Sequence, residues 1–164
     1  MKPIDLIESK RKHLARLANQ RGATGELMAL AAMEAWIPRP SGRGLRVLMD
    51  ELSSAGKPIK ATSFDAIHID GMATLDFEDA GEVRAALPRM TFIEIKAASQ
   101  PRVKLGFAGF FFALTEGEIT AAEILGPQHR VALYNRITGE LLLTSVPEIL
   151  ARARSMNWQL SVQL

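Results

Sequence analysis

Between residues 3 and 20 apolar positions recur at Ile4, Ile7, Leu14 and Leu17 among charges, a spacing that predicts an amphipathic helix. Thr24 then reads as an N-cap, with Glu26 in the first turn and Leu27, Leu30, Ala31 and Met33 as the buried stripe of a second helix ended by Pro38. The run PRPSGRG is a loop, and residues 44–55 predict a short helix stopped by Gly56 and Pro58. The texture then changes. TSFDAIHID predicts a strand, the Asp70-Gly71 pair a turn, and residues 73–77 a second strand. Residues 79–88 read as a short helix closed by Pro88, TFIEIKAA as a strand, and GFFFAL at 109–114 as another strand buried on both faces. Thr115 opens a helix that runs to about Leu125 and stops at Gly126-Pro127. RVALYNR, ITG and ELLLTS form a hairpin, followed by a helix at 147–154 and a last strand at 158–163. Helices first and strands mixed with helices afterwards predict an α/β fold, a mixed β-sheet flanked by helices.

A chain of 164 residues, 48% of them apolar, supports one sizeable core, so 1–164 reads as a single domain. Absence of Cys excludes disulfides and thiolate–zinc sites. No apolar run is long enough to cross a bilayer and the start has no secretory h-region, so the expected location is cytoplasmic, away from membranes. Twenty basic against eighteen acidic side chains leave a net charge of only +2, small for a protein that grips many phosphates, so local clusters carry more meaning. Lys10, Arg11, Lys12 and Arg16 form one; Arg39, Arg43 and Arg46 flank the Pro/Gly loop; Gln100, Arg102 and Lys104 follow the TFIEIKAA strand and could meet a phosphate backbone.

The chemistry concentrates in two strands. Side chains alternate along a strand, so Phe92, Glu94 and Lys96 share one face and Ile93, Ile95 and Ala97 the other. An acid and an ammonium pointing the same way can hold a divalent cation and steady charge on a phosphate, although a half-exposed strand shows the same alternation. In SFDAIHID, Asp65 shares its face with Ile67 and Ile69, while Phe64, Ala66 and His68 lie opposite. An acid on an apolar face is costly unless it is paired or ligates a metal. His68 points away from it, and His13 and His129 read as packed histidines.

Asp65 on one strand followed by Glu94-Ile95-Lys96 on a later one resembles the PD-(D/E)XK nucleases, with Ser63 or Phe64 at the Pro position. The resemblance implies a restriction-endonuclease-like core. It also implies that Asp65, Glu94 and the carbonyl of Ile95 bind Mg²⁺ or Mn²⁺, with Lys96 beside the attacking water. A third acid from a preceding helix would be Glu26, with Glu34 a weaker alternative. In order of elements the chain is similar to the domain at the C-terminus of the plant protein NO VEIN and its bacterial relatives. The segments that carry this likeness are Gly25-Glu26, Phe64-Asp65, Glu94-Ile95-Lys96, Phe112 to Glu118 and His129 to Asn135, within residues 22–146. Residues 1–21 would then be an added helix and 147–164 a terminal helix and strand. Two departures stand out: the segment from Gly71 to Met90 is long, and His129 replaces a usual Tyr. Thr115 and Glu118 fit a capping box, and Phe107, Phe110, Phe111 and Phe112 fit core packing. The implied activity is metal-dependent hydrolysis of DNA; many such nucleases pair as homodimers to cut two strands. The alternative is a nuclease-like binding or regulatory module without activity.

Overall fold

The computed structural model describes residues 25, 28–30, 33, 35–157 and 162–163. The expected helix at 3–20, the Lys10–Arg16 cluster, His13, Glu26 and Glu34 lie outside the described residues. So does most of the strand expected at 158–163, of which only 162 and 163 are described, neither in a strand.

The chain forms an α/β fold on a five-stranded mixed sheet of order β1-β2-β3-β4-β5. The strands are β1 (Ile37–Pro38), β2 (Ala66–Ile69), β3 (Met90–Ala98), β4 (His129–Asn135) and β5 (Leu141–Thr144). The helices are α1 (Gly42–Ser54), α2 (Ala80–Ala86), α3 (Glu116–Leu125) and α4 (Val146–Arg152). Gly25 and residues 28–30 are also helical. Neighbouring strands run antiparallel except β3 and β4, which are parallel from Phe92↔His129 to Ala98↔Asn135. Two parallel strands need a crossover, and α3 supplies it.

The alternation of β3 sorts the core. Met90 and Phe92 pack with Ile67, Ile69, Leu48, Leu52, Val83, Ala121 and Leu125, a cluster under α1, α2 and α3. Farther along the same face, Ala98 joins Val103, Phe107, Val131, Leu133 and Val146. Glu94 and Lys96 lie between these two clusters. Ile93 and Ile95 point the other way, into a third cluster with Ala29, Trp36, Ala66, Ala132 and Tyr134. Helices therefore cover both faces, and the longest strand is buried on each. Arg84 clamps α2 to α1 with a two-pronged ion pair to Glu51, 2.8 and 2.9 Å.

Several expectations hold closely. The helix at 44–55 is α1, 79–88 is α2 with a 3₁₀ turn through Pro88, TFIEIKAA is β3, and the helix from Thr115 to Leu125 is α3. The hairpin is β4–β5.

Others need correction. GFFFAL at 109–114 is not a strand. Gly106, Phe107 and Gly109 have φ of 70, 63 and 81°, left-handed conformations that break extended backbone. The phenylalanines are instead used one at a time: Phe107 is buried, Phe110 and Phe112 pack as a tilted pair with centroids 4.9 Å apart, and Phe111 is 69% exposed. No strand forms at 73–77 either; after the tight turn at Gly71 the only pairing is a single bridge between Ile69 and Met72. The 62–70 segment is extended and paired only from Ala66, after a 3₁₀ turn at Ala61–Ser63. That turn upsets the expected alternation. Phe64 lies in the same cluster as Ile67 and Ile69, edge-on to Phe92 at 5.1 Å, rather than on the opposite face. Pro38, expected to end a helix, pairs with Ala66 as part of β1.

Helical Gly25 meets the sheet without room for a side chain. A Cβ built there falls 2.4 Å from the Cβ of Ala97. Alanine normally favours a helix over glycine by about 1 kcal/mol. Overpacking at this contact opposes that gain, and Gly25→Ala is expected to destabilise the fold by about 1–2 kcal/mol. Urea unfolding of Gly25→Ala, Ala97→Gly and the double variant checks this: the double variant should recover part of the loss, and additive losses would refute the contact.

Candidate functional site

Asp65 immediately precedes β2, and main-chain bonds seat it. Its N–H donates to the Ile93 carbonyl at 2.8 Å, and its carbonyl accepts from the Arg39 N–H at 2.8 Å. Arg39 also ties down the approach to Asp65: its guanidinium donates to the carbonyls of Phe64 at 2.8 Å and Ala61 at 3.1 Å. From the other side, buried His129 lies 3.3 Å from the Ser63 carbonyl. Burial holds the imidazole below its usual pKa, so it is neutral near pH 7 and Nε2 carries the proton facing that carbonyl. His129 is thus a packed histidine that braces the turn before Asp65. His68 lies elsewhere, its Nε2 3.2 Å from Asp70.

The Asp65 side chain does what the strand backbone stops doing. The β2–β3 ladder ends at Ala66↔Ile93. Beyond that pair, the Ile95 N–H donates to Asp65 Oδ2 at 2.8 Å. In a strand the N–H and C=O of one residue face the same neighbour, so the Ile95 carbonyl turns toward the Asp65 side as well.

Glu94 is buried beside this carboxylate. Its Oε1 accepts from Lys96 Nζ at 2.9 Å, and its carboxyl is hydrogen-bonded to the Asp65 side chain. Lys96 Nζ makes a second contact of 2.9 Å, to Glu118 Oε1 on α3. Glu118 is the member of this cluster that the sequence pattern ties only to capping. The capping box is real: Thr115 Oγ1 accepts from the Glu118 N–H at 3.2 Å, and Glu118 Oε2 accepts from the Thr115 N–H at 3.0 Å. The other oxygen of the same carboxylate reaches the strand. The signal that could have found it was Thr-x-x-Glu at the start of the one helix that crosses between two parallel strands.

The electrostatics follow from burial. Desolvation raises Glu94, the nearby Asp65 charge raises it further, and Lys96 only partly offsets them, leaving the carboxyl pushed up to about 9. Desolvation raises Asp65 too, opposed by the Ile95 N–H, the positive charge of Arg39 and a hydrogen bond with the Glu94 side chain. Burial pulls Lys96 down, but the carboxylates of Glu94 and Glu118 outweigh it and hold it above its ordinary value. Two neighbouring carboxyls in a dry site resist ionising together unless a cation joins them.

Asp65, Glu94 and Lys96 are therefore brought together. Gln100, Arg102 and Lys104 are exposed in the loop that follows β3, and among the described residues no hydrogen bond or ion pair joins their side chains to this cluster. Glu26 lies outside the described residues. Among the described residues, no three Asp, Glu or His side chains are grouped to hold a metal. Comparison with protein-family models, curated proteins and solved structures finds no match to the chain. No helix among the described residues is long and apolar enough to cross a membrane.

The pH dependence of stability tests the carboxyl pair. With its pKa raised, folded Glu94 keeps a proton that the unfolded chain releases above the ordinary carboxylate range. The unfolded state then binds fewer protons, so stability should fall as pH rises from about 5 toward 9, by up to about 1.4 kcal/mol per pH unit for one proton. Chemical denaturation without divalent ions should show this slope, and Glu94→Gln should flatten it. A slope untouched by the substitution would place the retained proton elsewhere.

Proposed function

We propose that the chain is a metal-dependent nuclease of PD-(D/E)XK type that hydrolyses DNA phosphodiesters on a restriction-endonuclease-like core. The observation that carries the reading is the convergence of Asp65, Glu94 and Lys96 at the buried end of the β2–β3 ladder, with the two carboxyls in contact and competing for one proton. A surface ion pair needs neither this burial nor a second carboxylate.

The donor set suits a hard cation. Asp65, Glu94 and the Ile95 carbonyl would hold Mg²⁺ or Mn²⁺, all through oxygen. Two carboxylates and a carbonyl are a small set, but Mg²⁺ keeps several waters and takes further oxygens from substrate phosphates. When bound, such an ion supplies Lewis-acid stabilisation of charge on the phosphate. Lys96 places a fixed positive charge at the same spot, where the pentavalent phosphate gains negative charge. Asp65 is held at the site by its Oδ2, which accepts from the Ile95 N–H. Glu94 must exchange its proton for the cation, so binding should strengthen as pH rises toward 9. Arg102 and Lys104, with Gln100, would steady the DNA backbone beyond the site. The order β2, β3, α3, β4, in which a crossover helix joins two parallel strands, supports the core assignment.

Supercoiled plasmid, linear duplex and single-stranded DNA, each with Mn²⁺, Mg²⁺ or EDTA, provide the test. Cleavage should require the metal and fall by about 10²–10⁴-fold in Lys96→Gln and Glu94→Gln, with folding verified by circular dichroism. Undiminished cleavage by Lys96→Gln would sink the assignment. Mn²⁺ should also raise the melting temperature of the wild type and not of Asp65→Asn. Neither cleavage nor a melting shift would favour a nuclease-like binding module instead.

A further inference from the structure

We infer that Glu118 is the positioning residue for Lys96, the carboxylate that keeps its ammonium in place when Glu94 is occupied elsewhere. The catalytic meaning rests on the proposed nuclease function; the geometry does not. Lys96 Nζ sits between two carboxylate oxygens, each at 2.9 Å. The first belongs to Glu94, which the proposed reaction assigns to the cation. A lysine that depended on Glu94 alone would lose its partner at the moment of reaction. Glu118 stays, because its other oxygen is fixed to the main chain at the start of α3 by the Thr115 N–H.

The choice of residue is demanding. Both neighbours of the Glu118 side chain are donors, an ammonium on one side and a backbone N–H on the other. A carboxylate is an acceptor at both oxygens and satisfies the two at once. Glutamine has the same shape and can complete a capping box, but it carries one acceptor and one NH₂ group. With its oxygen on the Thr115 N–H it turns a donor toward Lys96; reversed, it sets a donor against the N–H. A glutamate needed only to cap the helix would tolerate this change. A glutamate that also holds Lys96 would not. Burial of Glu118 and of most of Lys96 leaves little room for water to replace the lost contact.

The test compares the full chain with Glu118→Gln and Thr115→Ala. Thr115→Ala removes the side-chain half of the cap while its backbone N–H and the Glu118 carboxylate remain, so it reports on helix capping alone. Acetylation of Lys96 by an acylating reagent at fixed pH is followed by mass spectrometry of its peptide, without and with Mn²⁺. A hydrogen bond to a charged group is worth at least a factor of about ten in holding the ammonium. Labelling of Lys96 should therefore rise roughly tenfold in Glu118→Gln, and more with Mn²⁺ present. Thr115→Ala should melt earlier but label like the wild type. In DNA cleavage, Glu118→Gln should lower kcat and leave KM nearly unchanged, the split expected of a group acting through Lys96 rather than on substrate. Equal labelling in Glu118→Gln and wild type overturns the inference, as does equal labelling in Thr115→Ala and Glu118→Gln. A wild type that neither cleaves DNA nor responds to Mn²⁺ overturns the nuclease reading instead, and the labelling comparison still decides the role of Glu118.

Discussion

An ammonium buried between packed apolar clusters needs hydrogen-bond acceptors and at least one anion at contact distance, and Lys96 imposes that requirement on the centre of the sheet. It stands on the longest strand, between the cluster of Phe92 and the cluster of Ala98, where an uncompensated charge would cost several kcal/mol. Glu94 answers it from the same strand and Glu118 from the crossover helix. The second answer ties tertiary structure to chemistry. α3 must begin where it does, at Thr115, for Glu118 to point at once into its own helix start and toward β3. The parallel pairing of β3 and β4 and the placement of the helix between them are thus fixed by apolar burial on most of their length and by one carboxylate at the polar gap.

Local features of this arrangement were legible in the sequence, and nonlocal ones were not. β3 could be read to within a residue because its alternation is strict and both faces are used. Asp65 stood out because an acid sharing a face with Ile67 and Ile69 demands a partner or a metal, and its grouping with Glu94 came from the resemblance to the PD-(D/E)XK pattern. The same alternation failed one residue earlier: Phe64 leaves a 3₁₀ turn rather than a strand, so the period of two does not reach it. The aromatic run at 110–112 looked like a buried strand by composition. Left-handed backbone at Gly106, Phe107 and Gly109 decided otherwise, and a Phe with positive φ has no sequence signature. Strand β1 is two residues long and begins at the foot of buried Trp36; its pairing with β2 depends on a contact thirty residues away. The double role of Glu118 is hidden for the same reason. A capping box is written in four consecutive residues, whereas the bond to Lys96 joins positions 22 apart.

The layers around Asp65 show how a loosely structured segment can still present a side chain accurately. Asp65 is outside the regular ladder, yet its own N–H and C=O are bonded, and the preceding turn is held by Arg39 through two carbonyls and by His129 through a third. Arg39 is exposed, but its contribution is geometric as well as electrostatic: the same guanidinium that fastens the turn favours the ionised form of Asp65. Supporting residues of this kind orient the groups that do chemistry, and their substitution acts through those groups.

Counting charges explains why the site is poised rather than merely stable. Fully ionised, Asp65, Glu94 and Glu118 bring three negative charges against the ammonium of Lys96 and the more distant guanidinium of Arg39. Glu118 and Lys96 neutralise each other at contact distance. That leaves Asp65 and Glu94, with Arg39 at the rim, one unit short of balance in a dry setting. A proton on Glu94 restores the balance, which is why its carboxyl is pushed so far up. Under the proposed function a divalent cation restores it too, and competes with that proton for the same oxygens. Replacing a proton by a doubly charged ion leaves the cluster with net positive charge, a suitable state for meeting a phosphate diester. Glu118 keeps that exchange local: with Lys96 held by a carboxylate anchored to the helix, neutralising or recruiting Glu94 does not release the ammonium from the site.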